Sequence, residues 1–282
     1  MASHLVPARA VGDDAAGLFG PDSITWQVHA DPILIVGGIR ALLLQALHPL
    51  ALAGVVEHSG FKEDPWGRLG RTAEFVGVLT YGTRSDAAKA AARVRGAHRG
   101  LAGAEPETGT PYRVDDPALL LWVHCCEVDS FLSTVRRAGA DLSDGEADAY
   151  LSEQVLAAEL MGVPREDVPA DRADLADYFT AIQPMLRATA ESQRALRFLL
   201  APPMPVWVRV LTPARLGWGG LTALAFGLQP SWARKMYRLP GLATTDAAAT
   251  ASVRALRSSL QRLPPKWREG PALKAARERL AG

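Results

Sequence analysis

A long apolar segment near the start of the chain, at about residues 31 to 55, most constrains how the chain folds. It contains ILIVGGIRALLLQALHPLALAGVV, which is apolar enough to suggest a membrane-spanning helix. However, Arg40, Gln45, His48 and Pro49 interrupt the run, and polar groups at these spacings favour a buried helix that lines a site. Because proline removes a helical hydrogen bond, we predict a kink or a break at Pro49.

Residue usage predicts an all-α protein. Alanine, leucine and arginine dominate, β-branched runs are scarce, and no Asn-Gly or Asp-Gly turn lies between alternating apolar residues. We expect roughly eight to ten helices in a single multi-helix domain, since no linker divides the 282 residues. The expected organisation is an N-terminal extension at residues 1–24 and one helical domain at residues 25–282.

Capping residues place several helix boundaries. Ser85 is the predicted N-cap of one helix, and Asp116 before Pro117 opens another. Ser143 and Glu146 have the spacing of a capping box. Apolar spacing predicts helices over these ranges: 66–81, 85 to about 100–103, 117 to about 138, 171–199 and 245–263.

Composition excludes several function classes. The chain has 31 Lys plus Arg and 30 Asp plus Glu, so it lacks the basicity of a nucleic-acid-binding protein. Cys125 and Cys126 are neighbours, so they cannot join distant segments or form a Cys-x-x-Cys site. The first residues lack the apolar run of a signal peptide, and we therefore expect a cytoplasmic protein.

The segment from Phe198 to Phe226 is apolar and aromatic, but arginines and prolines interrupt it. It is either a pair of core helices broken by proline or an interfacial segment that contacts membrane lipid or an apolar ligand. We do not expect it to span a membrane.

All six histidines lie within the first 124 residues. His48 and His124 lie in apolar stretches, and His98 continues the apolar helical stripe of Ala91 and Val94. A buried imidazole needs either hydrogen-bond partners or a metal. These histidines are therefore satisfied core residues or parts of a cofactor site.

One predicted helix combines basic and apolar residues on the same face. Arg68, Arg71 and Thr72 share this face with Phe75 and Leu79. Such an arrangement suits a pocket that holds carboxylates or an activated oxygen species, because a buried guanidinium needs a polar partner. The alternative is that this end of the helix meets solvent and the arginines pair with neighbouring carboxylates: Glu63, Asp64 or Glu74.

Motif spacing excludes several cofactor classes. No histidine follows a glutamate by three residues, as a di-iron carboxylate site requires. His-Glu-x-x-His, Gly-x-Ser-x-Gly and P-loop motifs are also absent. A haem held by one histidine needs no sequence spacing, only an apolar cavity, an axial imidazole and a polar distal group.

Four segments occur in order: GGIRALLLQALHPLALAGVVEHSGF, DPWGRLGRTAEFVGVLTYGT, VRGAHRGLAG and YRVDDPALLLWVHCCEVDSF. Together they resemble the family of rubber oxygenases, latex clearing proteins and MpaB-like oxygenases, over about residues 25 to 235. The resemblance implies an all-helical fold with a globin-reminiscent core. It also implies a non-covalently bound haem b and O₂-dependent cleavage of carbon–carbon double bonds in isoprenoid chains.

The resemblance implies roles for individual residues. His98 corresponds to the proximal iron ligand, and Arg68 and Thr72 to a catalytic arginine and threonine. The residue before the threonine is a lysine in latex clearing proteins but Arg71 here, and arginine is a poor iron ligand because it stays protonated. The predicted sets are catalytic Arg68, Arg71 and Thr72, and haem-binding His98, His124, Arg68 and His48, with His98 as the metal ligand.

The expected function is that of a haem b oxygenase whose partners are O₂ and an unsaturated hydrophobic small molecule. Two alternatives stay open. One is a non-catalytic haem protein that acts as a carrier or as a gas or redox sensor, and the other is a haem-free helical protein that binds a hydrophobic ligand.

Overall fold

The computed structural model describes residues 14–60, 63–205, 207, 211–239 and 241–281. Over these residues the chain forms fourteen α-helices and one two-stranded sheet, which confirms the all-α prediction but exceeds the expected eight to ten helices. The helices are α1 (Ile24–His29), α2 (Leu34–Gln45), α3 (Pro49–His58), α4 (Pro65–Tyr81), α5 (Arg84–His98), α6 (Pro117–Arg137), α7 (Asp144–Met161), α8 (Arg172–Ile182), α9 (Ala190–Leu200), α10 (Ala214–Gly227), α11 (Ser231–Met236), α12 (Ala243–Gln261), α13 (Pro265–Arg268) and α14 (Pro271–Ala281).

The long central helix α6 packs against α2, and this pair forms the middle of the core. Trp122 and Cys126 of α6 and Leu43 and Leu44 of α2 are fully buried there. Close approach of the two helices depends on Gly37, where a Cβ atom would lie 3.3 Å from the carbonyl oxygen of Ser130. α7, α10 and α12 complete the core around this pair.

The apolar segment at residues 31 to 55 is broken where Pro49 predicts a break. α2 and α3 meet at an angle of 108°. His48 adopts extended backbone as the N-cap of α3, its ring nitrogen accepts a hydrogen bond from the backbone N–H of Ala51, and Pro49 begins the helix. The local chemistry of the His-Pro pair therefore turns the chain, because proline is well suited to the first helical position.

Several predicted boundaries are correct and others are wrong. Asp116 caps α6, and Ser143 with Glu146 forms the capping box of α7. The predicted N-cap Ser85 is wrong, because Thr83 and not Ser85 forms the capping box at the start of α5. The predicted helix at 171–199 is interrupted by a 3₁₀ turn, Gln183–Met185, so it forms α8 and α9.

A short hairpin was not predicted. Strands β1 (Ala102–Ala104) and β2 (Pro111–Arg113) pair antiparallel, with Gly103 opposite Tyr112. The first strand begins where the helix containing His98 was expected to continue, so α5 ends at His98.

The segment at 198–226 is only partly described, since residues 206 and 208–210 lie outside the described ranges. In its C-terminal part, α10 packs Trp218 and Leu221 against the core, as expected for a core helix. By contrast, Trp207, Leu211 and Leu216 are exposed. The structure therefore combines features of both interpretations.

One described helix, α6, is long and apolar enough to cross a membrane by length and composition, and the bent pair α2 and α3 would pass as a second. Most of the apolar stretch of α6, 61%, is buried inside the protein, as in a core helix.

Candidate active site

A cavity of about 470 Å³ lies among α3, α4, α5, α6 and α7. Its walls are mainly apolar and are lined by side chains such as Leu50, Val55, Phe75, Leu120 and Met161. The volume falls within the usual range of small-molecule sites, and the few polar groups in it are therefore the groups that orient a ligand.

The mixed face of α4 lines this cavity along its length. Arg68, Arg71, Thr72, Phe75 and Leu79 all contribute to the wall. Arg71 and Thr72 are exposed, whereas Leu79 is buried, so α4 runs from an open mouth into the interior. The two arginines and the threonine thus lie at the mouth of the cavity.

The two arginines at the mouth differ in whether they are paired. Arg71 forms an ion pair of 3.2 Å with Asp64, the N-cap residue of α4. Arg68 has no hydrogen-bond or ion-pair partner for its side chain in the described part of the chain, and burial together with Arg71 lowers its pKa. Arg68 is therefore the cation that remains available for an anionic group.

His98 is the last residue of α5 and is half-buried, with its ring in the cavity wall. Burial lowers the pKa of His98 and the guanidinium of Arg68 lowers it further, while Asp115 raises it. The imidazole is thus held mainly in its neutral form at pH 7, and only a neutral imidazole has a lone pair for a metal.

His124 and Glu127 lie one helical turn apart on α6 and both face the cavity. Burial lowers the pKa of His124 to about 4 and raises the pKa of Glu127 to about 7. Neither side chain has a hydrogen-bond or ion-pair partner among the residues that the structure describes. These two groups are thus unpaired polar atoms in an apolar enclosure.

His29 also lines the cavity, but its ring is fully engaged. The Thr80 hydroxyl donates to the backbone oxygen of Val76 at 2.8 Å, so it accepts from His29 Nδ1–H at 2.7 Å. The Nε2 atom of His29 then accepts from the Tyr150 hydroxyl at 3.1 Å. Burial lowers the pKa of His29 to about 3, and this neutral ring is a structural member of the wall.

The structure does not bring His48 to the cavity. Its ring is buried, caps α3 and lies against Trp122, with 5.9 Å between ring centroids. The predicted cofactor-binding group therefore separates into His98, His124 and Arg68 at the cavity and His48 in the core. No described group of three or more His, Cys, Asp or Glu residues could hold a metal ion by side chains alone.

Sequence reasoning missed Glu127 and His58 as cavity residues. Glu127 could have been predicted, because it follows His124 by three residues and is a charged residue on a largely apolar helical face. His58 could not, since its position depends on the hairpin residue Tyr112, whose hydroxyl lies 3.4 Å from His58 Nε2.

A second, more open cleft of about 1010 Å³ contains several arginines. Arg40 and Arg137 both donate to the carbonyl oxygen of Leu228, and Arg234 donates to that of Gly227. Cations are favourable at the C-terminal end of a helix, here α10, because unpaired carbonyl groups give that end a partial negative charge. The arginine cluster is thus explained by the fold.

The chain is similar to a known protein family over most of its length. A family model described as "ER-bound oxygenase mpaB/B'/Rubber oxygenase, catalytic domain" matches residues 26–261. The uncharacterized proteins Rv2237 of Mycobacterium tuberculosis and Mb2261 of Mycobacterium bovis are each 27% identical to the chain over 146 residues. That match covers 52% of this chain and 57% of each relative, so the chain spans little more than half the length of these relatives. No solved structure matches the chain significantly. Because the family model covers most of its length, the chain belongs to the family of the MpaB and rubber oxygenase catalytic domain.

Proposed function

We propose that this protein is a haem b-dependent oxygenase that acts on an unsaturated hydrophobic substrate. The observation that carries the proposal is that one apolar cavity contains His98, Arg68 and Thr72 together. Membership of an oxygenase family supports it.

The residues of the cavity fit a haem. A haem needs apolar walls for its faces, one neutral imidazole for its iron and cationic groups for its propionates. The cavity offers all three, in its aliphatic lining, in His98 and in the arginines at the mouth, where the exposed Arg71 would bind the propionates and leave Arg68 for the catalytic role. The haem would supply the binding and activation of O₂ at its iron.

The protein residues then have separable roles. His98 would hold the iron through a neutral ring nitrogen, which the lowered pKa of His98 favours. Arg68 would donate hydrogen bonds to developing negative charge. The Thr72 hydroxyl donates to the backbone oxygen of Arg68 at 3.0 Å at the exposed mouth, and it would act on that charge by turning this donor towards the ligand. The apolar wall would hold the substrate and exclude water.

The first test concerns haem binding. Wild-type protein reconstituted with haemin should show a Soret band, and His98→Ala should lose or shift it, because the axial imidazole is removed. His58→Ala, which replaces another cavity histidine, is the control and should keep the wild-type band. Absence of a Soret band in the wild type would contradict the haem proposal, and an unchanged band in His98→Ala would contradict only the ligand assignment.

The second test concerns catalysis. O₂ consumption by the haem-loaded protein should depend on an added isoprenoid alkene such as farnesene. Thr72→Ala should lower this rate by about 10- to 100-fold while the Soret band persists, since one hydrogen bond to developing charge is lost. Haem binding without alkene-dependent O₂ consumption would instead indicate a carrier or a sensor.

A further inference from the structure

Glu127 is an ionisable group that the proposed chemistry does not use. It lies on α6 in the cavity wall, next to His124 and among aliphatic side chains such as Val123 and Leu120. No hydrogen bond or ion pair joins its carboxyl group to any residue in the described ranges. Its charge therefore contributes nothing visible to the fold.

Keeping a carboxyl group in this position is unfavourable. Glu127 lies in the cavity wall with no neighbouring cation or hydrogen-bond donor among the described residues, and burial raises its pKa. An apolar residue of similar size would avoid this cost. The carboxyl group is therefore best explained by a ligand that becomes its partner.

The charges around the cavity restrict what that ligand can be. Arg68 lies at the mouth without an ion-pair partner among the described residues, so a cationic ligand would be repelled as it enters. An anionic head group would bind at Arg68 and be repelled by ionised Glu127. A neutral hydrogen-bond donor on an apolar skeleton is compatible with both Arg68 and Glu127 in the cavity wall.

We infer that Glu127 is a specificity-determining residue whose carboxyl group accepts a hydrogen bond from a substrate hydroxyl. The substrate class is then an unsaturated apolar alcohol that enters hydrocarbon-compatible walls and directs its hydroxyl towards α6. This inference rests on the proposed function in that it takes the cavity to be the substrate site.

The test compares farnesol with farnesyl methyl ether, in which a methyl group replaces the hydroxyl hydrogen and so removes the donor. Their dissociation constants are measured calorimetrically with haem-loaded protein at about pH 8, where a carboxyl group with a pKa of about 7 is mostly ionised. Wild-type protein should bind farnesol about tenfold or more tightly than the ether, because a hydrogen bond to a charged acceptor is lost in the ether.

Two variants and a control isolate the carboxyl group. Glu127→Leu should abolish the preference for the alcohol without weakening binding of the ether, and Glu127→Gln should keep part of it because the amide oxygen still accepts. Glu166→Gln removes an exposed carboxyl group elsewhere and should keep the full preference.

The outcomes separate this inference from the proposed function. Equal affinity of wild-type protein for alcohol and ether, no binding of either probe, or a preference that survives in Glu127→Leu would overturn the inference. If farnesene still supports O₂ consumption in those cases, the proposed function stands by itself. If the alcohol preference follows Glu127 while O₂ consumption is absent, the inference holds for a binding site and the oxygenase proposal fails.

Discussion

At the scale of single residues, Arg68 and Arg71 carry the same charge but differ in burial and in pairing. Arg71 is exposed and paired with Asp64, whereas Arg68 is more buried, lacks such a partner among the described residues and acts on His98. The chemistry of the mouth should therefore depend on Arg68 more than on Arg71.

This difference predicts a titration result. Arg68→Gln should raise the pKa of His98 towards 6.5, because it removes a cation that disfavours the imidazolium. Arg71→Gln, the matched control, should leave the pKa of His98 unchanged. Imidazole Cε1–H NMR shifts followed against pH in haem-free protein measure both, and equal titration of His98 in wild type and Arg68→Gln would refute the coupling.

The shared face of Arg68, Arg71 and Thr72 could be predicted from the sequence because helical periodicity is a local property. Pairing with Asp64 was among the alternatives that the sequence offered, and Arg71 forms that pair. The sequence could not show that Arg68 is left without such a partner among the described residues, since that depends on how deeply each side chain is buried. Glu127 could have been predicted as well, because it follows His124 by three residues and therefore lies on the same helical face.

At the scale of elements, the close packing of α2 against α6 depends on Gly37, which has no side chain. Gly37→Ala should lower the free energy of unfolding by about 1–3 kcal/mol, because the added Cβ would press on Ser130 and Phe131. Gly38→Ala is the control, since nothing lies within 4 Å of its added Cβ and alanine favours a helix. Urea denaturation of both variants checks this, and equal stability of the two would contradict the packing argument.

Helix starts that depend on nearby side chains were predictable from the sequence, as Asp116 and the pair Ser143 and Glu146 show. The prediction that Ser85 is the N-cap was wrong because Thr83, two residues earlier, also carries a hydroxyl. Asp86 follows Thr83 by three residues, which is the spacing of a capping box. The hairpin around Gly103 could not be predicted, because strands of three residues are too short to show an alternation of apolar and polar residues.

At the scale of the whole molecule, buried groups with shifted pKa values make stability depend on pH in opposite directions. His29 and His124 stay neutral when folded, with pKa values of about 3 and about 4, so they lower stability as pH falls below their usual value of 6.5. The pKa of Glu127 is about 7 in the folded protein against a usual 4.5, so the folded state holds this proton more tightly than the unfolded state. The resulting contribution to the free energy of unfolding is lost as pH rises from 4.5 to 7.

Glu127→Gln should therefore remove the loss of stability with rising pH and leave the effect of the two histidines. The unfolding free energy of wild type minus that of the variant should fall by about 1.4 kcal/mol per pH unit between pH 4.5 and 7. Below and above this window the difference should be constant. Urea titrations at a series of pH values measure it, with Glu166→Gln as control, and parallel profiles for wild type and Glu127→Gln would count against a buried, unpaired carboxyl group.

The bend between α2 and α3 has a consequence for the synthesis of the chain. Both helices depend for cover on α6, whose last residue, Arg137, follows His58 by 79 residues (137 − 58). At ordinary ribosomal rates this delay lasts roughly 4 to 16 s. During that time the nascent chain exposes one of its most apolar segments, which is the kind of surface that chaperones protect from aggregation and that the finished fold buries.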